Sequence, residues 1–374
     1  MNASLVAILL LCLALASAPG RGAVDDPPNG ERIYRTACLQ CHGVDGTGAP
    51  STVLGFDLAL PDFSDCAFGT AEARADWTAI ITKGGPARGF SQRMPAFGDA
   101  LSPHEITAVI AYLRTLCSES RAWPVGDLNF PRPLVTEKAF PENEAVLTSG
   151  SALEGDGAVL NELVFERRFG PRSQFEVVVP FGWQERTLDR ATGSVTSWIG
   201  GIGDVEAGVK HVLFHDNDRR LILSAAATAI LPTGSVRGNF GSGTTVFESF
   251  LAAGAALPRR GFLQLQSGVG LPVQLARAPR DAFWRGVLGI TIPERQFGRA
   301  WSPMVEVLGA RDLVAGAPTD WDLIPQFQVT LSARQHVRAN VGVRVPVNRS
   351  GVRQTELLAY LLWDWFDGGF RQGW

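Results

Sequence analysis

Two thiols and an imidazole stand together in Cys38-Leu39-Gln40-Cys41-His42. In an exported chain, cysteines two residues apart can add across the vinyl groups of a haem, and the imidazole that follows directly becomes the proximal iron ligand. Two other chemistries use such cysteines. A redox-active C-x-x-C lies between a strand and a helix, whereas Gly43, Gly46 and Gly48 follow here in a loop. A structural zinc site needs a second ligand pair, and neither Cys66 nor Cys117 belongs to one. The pattern points to one haem c, covalently attached through Cys38 and Cys41, with His42 on the iron.

Met94 is the candidate for the other axial position. Beyond the initiator, the chain has only Met94 and Met304. Met94 lies in the loop Gly89-Phe90-Ser91-Gln92-Arg93-Met94-Pro95-Ala96-Phe97, where Pro95 biases it toward extended backbone and lets the thioether point sideways. A lone methionine more often fills a core; the upstream C-x-x-C-H reverses that preference, and His104 is the alternative ligand. His–Met ligation closes both axial sites and raises the reduction potential, which suits electron transfer better than oxygen or peroxide chemistry.

Positioning these groups requires helices. Asn29 to Ala37 reads as a first helix, with Gly30 and Tyr34 on it. Ser102-Pro103-His104-Glu105 is a capping box with proline at the first helical position. Ile106, Val109, Ile110, Leu113 and Leu116 then recur at helical spacing, with Tyr112 beside them. From about Pro28 to Ser118 the chain resembles the class I cytochrome c family, which has a glycine and an aromatic at its helix crossing. The resemblance implies an all-α monohaem domain over residues 25–120, in which Tyr34, Phe97 and Leu113 shield the haem.

Residues 1–18 form an apolar run with Ala14-Leu15-Ala16 as a cleavage signal, the mark of an export signal peptide. A retained membrane anchor is the competing reading, although the run is short for a span. Export leaves Cys66 and Cys117 as an even pair in an oxidising compartment, so a disulfide between them is expected, with two buried thiols as the alternative. At 374 residues and 45% apolar composition the chain needs a second domain. Its net charge of -3 gives no sign of nucleic acid. Pro124, Pro131, Pro133 and Pro141 punctuate residues 121–143, which read as an extended linker.

From residue 144 to 374 the period changes to two. Leu263, Leu265, Val269 and Leu271 alternate with polar or small residues, as do Ala339, Val341, Val343 and Val345. Segments of about ten residues with one apolar and one polar face, without intervening helices, are expected of an antiparallel transmembrane β-barrel. A soluble sandwich shows the same alternation. The long strands, the export signal and Trp183, Trp301, Trp363 and Trp365 near strand ends favour the barrel. Gly200 to Lys210, followed by Ala229-Ile230-Leu231-Pro232-Thr233-Gly234-Ser235, resembles paired strands of an outer-membrane channel family named for phenol-degradation pathways. Eleven strands are legible, and bacterial barrels prefer even numbers, so ten to twelve are expected, with a further one near Glu144 to Thr148. Glu176, Glu206, Lys210, Glu248, Arg338 and Arg344 would face a polar lumen. His211, His215 and His336 read as loop or surface residues, and Asp367 to Trp374 continue beyond the last alternating strand.

Together the halves read as an outer-membrane cytochrome with its haem domain in the periplasm, exchanging single electrons with a periplasmic redox partner protein. No catalytic constellation is evident. Two readings from other classes stand beside it: a channel for small organic solutes with an accessory redox domain, and a periplasmic electron-carrier subunit with a soluble β-domain. A looser resemblance to fused cytochrome-porin proteins of iron-oxidising bacteria implies an extracellular metal as ultimate substrate.

Overall fold

The structure, a computed structural model, describes residues 29–155, 157–190, 193–293 and 300–365. Residues 1–28, which include the expected export segment, and the tail after Trp365 lie outside them.

The N-terminal part is helical. Its elements are α1 (Gly30–Ala37), α2 (Leu39–His42), α3 (Ser51–Leu54), α4 (Cys66–Gly69), α5 (Arg74–Lys83) and α6 (Pro103–Thr115). Asn29 caps α1 by accepting from the Arg32 N–H at 3.0 Å. The Ser102 hydroxyl and the Glu105 carboxylate cap α6 reciprocally. α1 crosses α6 at Gly30, where an added Cβ would lie 2.1 Å from the Ala108 carbonyl oxygen. That approach lets Tyr34 and Tyr112 meet with ring centroids 5.3 Å apart. Ile33, Ile106, Val109, Ile110 and Leu113 form the core between the helices.

The remainder is β structure: β1 (Glu144–Ala152), β2 (Ala158–Phe169), β3 (Ser173–Arg190), β4 (Gly193–Ile202), β5 (Val205–Asp216), β6 (Leu221–Leu231) and β7 (Val246–Ala256). Then follow β8 (Gly261–Pro272), β9 (Asp281–Ile290), β10 (Ile292–Pro293), β11 (Ala300–Asp312), β12 (Asp320–Thr330), β13 (Val337–Pro346) and β14 (Glu356–Asp364). All pairings are antiparallel, β14 returns to β1, and β9 pairs with β11, so the sheet is a closed ring. Two strands stand aside from the ring. β4 extends the far half of β3, whose near half pairs with β5, and the short β10 pairs only with β11. The wall therefore has twelve strands, the upper end of the expected range, and β1 supplies the one expected near Glu144.

Which face of each strand is buried separates barrel from sandwich. Leu163, Val209, Leu251, Leu288, Val305 and Leu361 point outward and are exposed, whereas Glu166, Lys210, Gln264, Glu306 and Gln326 point inward and are buried. A soluble sandwich would bury the first set. An apolar exterior around a polar interior is the arrangement of a transmembrane barrel. Among the described residues no helix is long and apolar enough to cross a membrane.

At one end of the barrel the turns are short, at 170–172, 217–220 and 331–336, and at the other they are longer, at 232–245, 273–280 and 347–355. The helical domain sits on the short-turn end. The Asn217 amide donates to the Trp123 carbonyl at 3.2 Å, Arg172 donates to the Ala122 carbonyl at 3.0 Å, and Arg334 stacks over Phe90 at 4.5 Å.

The proline-rich segment extends the sequence reading. The expected linker does more than connect; residues 125–143 run inside the barrel, with Leu128, Arg132, Lys138, Phe140 and Glu142 buried. Its backbone groups bond to wall side chains. The N–H groups of Leu134, Glu137 and Glu142 donate to Gln326, Gln266 and Gln174 at 3.1, 3.1 and 2.7 Å. The Pro131 and Arg132 carbonyls accept from Gln264 and Tyr360 at 2.9 and 2.7 Å. Proline lacks an N–H to satisfy, and inward side chains such as Gln174, Gln264, Gln326 and Tyr360 satisfy much of what remains of the segment's backbone. The segment is a plug.

Candidate haem site

α1 ends at Ala37, and one further helical turn, α2, carries Cys41 and His42. The His42 N–H bonds back to the Cys38 carbonyl at 3.0 Å, holding both thiols and the imidazole on a single turn. Gly43 leaves the turn with φ +79°, and the Tyr34 hydroxyl donates to its carbonyl at 2.6 Å, pinning the exit loop to α1. Cys38 and Cys41 are free and half-buried. Burial, then the neighbouring Cys41, pushes the Cys38 thiol up to about 11, so it stays protonated at neutral pH. The His42 ring packs on Phe63 with centroids 5.1 Å apart. Its burial holds the pKa below the ordinary histidine value, which keeps the imidazole neutral and its lone pair available to a metal. His42 Nδ1 is buried and has no hydrogen-bond partner among the described residues.

The Met94 loop is seated by Gly84 and Gly85, a pair that sequence reasoning passed over. The Gly85 N–H donates to the Met94 carbonyl at 3.0 Å. A Cβ on Gly85 would lie 2.3 Å from the Ser91 carbonyl oxygen, and Gly84 has φ +84°. Their signal in the sequence is a tandem glycine between a helix and the methionine loop. Met94 packs against the same apolar cluster as Cys38, Leu39 and Phe97, and that cluster contains Tyr34 and Leu113. His104 lies exposed on the first turn of α6.

Cys66 and Cys117 are joined, with Cα atoms 5.1 Å apart and a sequence separation of 51, linking α4 to the chain just after α6. Two histidines depart from the loop-or-surface reading: His215 is half-buried at the end of β5, its Nδ1 3.1 Å from the Asn217 side chain, and His336, though in a loop, is buried. His336 is 3% exposed and lies between Asp364 of the barrel and Glu72 of the helical domain, the latter at 3.6 Å. It is an interface residue, brought there by a turn that local sequence marks as polar. His211 bonds to Ser173 at 2.8 Å on the surface, as expected of a surface histidine.

A neutral buried imidazole, two thiols on its helical turn and a thioether on the same apolar cluster are a donor set that fits a c-type haem. Residues 25–113 match the family model described as cytochrome C oxidase, cbb3-type, subunit III. No curated protein matches the chain. Among solved structures, it is similar to an outer membrane channel from Pseudomonas putida F1, at 12% identity, over 63% of this chain and 99% of that one, with a TM-score of 0.43. It is also similar to KdgM porin, at 11% identity, over 59% and 98% of the two chains, with a TM-score of 0.38. From the family match at the N-terminus and the closed, inside-out sheet after it, this chain joins an all-α cytochrome c domain to a twelve-stranded antiparallel transmembrane β-barrel.

Proposed function

We propose that the chain is an outer-membrane cytochrome that transfers single electrons through one haem c at the periplasmic mouth of its barrel. The observation that carries this reading is that Cys38 and Met94 pack against one apolar cluster and His42, on the same turn as Cys41, packs on its Phe63, in a domain seated on the short-turn end of the barrel. Short turns are the periplasmic side of bacterial barrels, which supports a periplasmic haem domain and a periplasmic redox protein as partner. Cys38 and Cys41 would hold the haem covalently, and His42 and Met94 would ligate its iron. When bound, the haem supplies the one-electron couple. Tyr34, Phe97 and Leu113 keep water from it, which favours a raised potential.

The plug sets this reading above a solute channel, because residues 125–143 occupy the lumen that a solute would use. The exposed apolar exterior likewise disfavours a soluble carrier subunit. Electrons from an extracellular metal would have to cross a hydrocarbon core ~30 Å thick, which a haem at the mouth does not span alone.

Two measurements test the proposal. After cell fractionation, haem staining should follow the outer membrane, and protease added to intact cells should spare the haem peptide until that membrane is opened. A haem band in the soluble periplasm would sink the reading. In Met94→Ala the haem should remain attached while the sixth position opens, so that thioether coordination vanishes from the visible spectrum and carbon monoxide binds. An unchanged spectrum would move the ligand assignment to His104.

A further inference from the structure

We infer that the barrel lumen contains a divalent-cation site formed by Glu137 of the plug and by Glu166 and Glu176 of the wall. One carboxylate oxygen from each of the three lies within 4.8 Å of the others. Glu166 on β2 and Glu176 on β3 are direct cross-strand partners close enough to hydrogen-bond to each other, so without an ion between them the pair must share a proton. Arg132 contacts Glu166 at 3.0 Å and Glu137 at 3.3 Å, but its shortest contact, 2.7 Å, is to Glu144. Three carboxylates thus converge on one guanidinium, with Glu176 beside them. Lys210 is near Glu166 and Glu176, yet its ammonium donates at 2.8 Å to the Lys138 carbonyl.

A separate observation identifies what is missing. Glu166 is 0% exposed, and its Oε2 has no hydrogen-bond donor among the described residues. A fully buried carboxylate oxygen without a donor is costly, and a cation shared with Glu176 and Glu137 would satisfy it in place of a proton shared with Glu176. Three carboxylates are a hard, all-oxygen donor set, which suits calcium, magnesium or manganese rather than a thiophilic metal. Glu137 and Glu176 also border a small cavity with Gln174 and Thr228, which leaves room beside the trio. Glu162, Glu206 and Glu248 face the lumen near Glu137, with Arg285 as their cationic neighbour, so the approach is acidic and concentrates cations. Because one ligand comes from the plug and two from the wall, the ion would fasten one to the other.

The test uses the purified, haem-loaded, full-length protein in detergent, treated with chelator, dialysed and titrated with manganese(II) by electron paramagnetic resonance. One equivalent should bind. Glu176→Gln and Glu137→Gln should each weaken binding at least tenfold, with the haem spectrum and the heat-resistant migration of the barrel on gels retained. Glu137 lies off the wall, so its variant remains informative if Glu176→Gln fails to fold. Glu162→Gln should still bind one equivalent. Absence of bound manganese in the unaltered protein would overturn the site, as would undiminished affinity in Glu137→Gln.

Discussion

Replacing Arg132 by alanine is expected to unseat the plug and turn a closed barrel into a conducting one. Arg132 is 7% exposed and donates to Glu144 and Glu166, both 0% exposed. Removing one partner of a buried ion pair strands the other charge and costs about 3–5 kcal/mol. Here the stranded groups are on the wall and the lost one is on the plug, so the strain is relieved when the plug leaves and water enters. In planar lipid bilayers the unaltered protein should show no steady conductance, Arg132→Ala should show stepwise openings, and a chain lacking residues 126–141 should stay open. If that deletion remains closed, the plug is not what closes the lumen.

The second large effect is expected in the cytochrome domain. Converting Cys66 and Cys117 to serine opens a 51-residue loop, for which chain entropy gives a loss of about 4 kcal/mol. The domain should melt at a lower temperature and load haem less completely. Mass spectrometry of the mature, non-reduced protein should find the two cysteines in one linked peptide. Two alkylatable thiols in the unaltered protein would remove the cross-link from the account.

Much of this was legible locally. Ser102 and Glu105 announce the start of α6, and Gly30 marks a helix crossing because only a missing Cβ admits the Ala108 carbonyl. Alternation found the strands, since side chains two apart share a face whatever solvent that face meets. Alternation could not say which face is inside, because barrel and sandwich share it; the exposed Leu163 and buried Glu166 decide that only in three dimensions. Residues 125–143 were unreadable for another reason. Prolines among Arg, Lys and Glu look alike beside water and beside a polar wall, and the wall partners Glu306 and Gln326 lie 170 and 192 positions away. The burial of His336 in its loop was hidden in the same way, because its neighbours Glu72 and Asp364 come from opposite parts of the chain.

The pairing of β1 with β14 bears on the order of assembly. The ring joins its first strand to its last, so it closes only once the whole chain has arrived. A haem domain of about 90 residues, roughly 25–30 Å across, precedes the plug and is too wide to be drawn through afterwards. The plug must therefore enter from the short-turn side, before or while the seam zips. Glu144, the wall residue that Arg132 grips most closely, is also the rung of the seam that faces Asp364. A barrel that zipped shut empty would leave Glu144 facing Asp364 across a wet lumen without the arginine that binds it, so arrival of the plug favours completion of the seam.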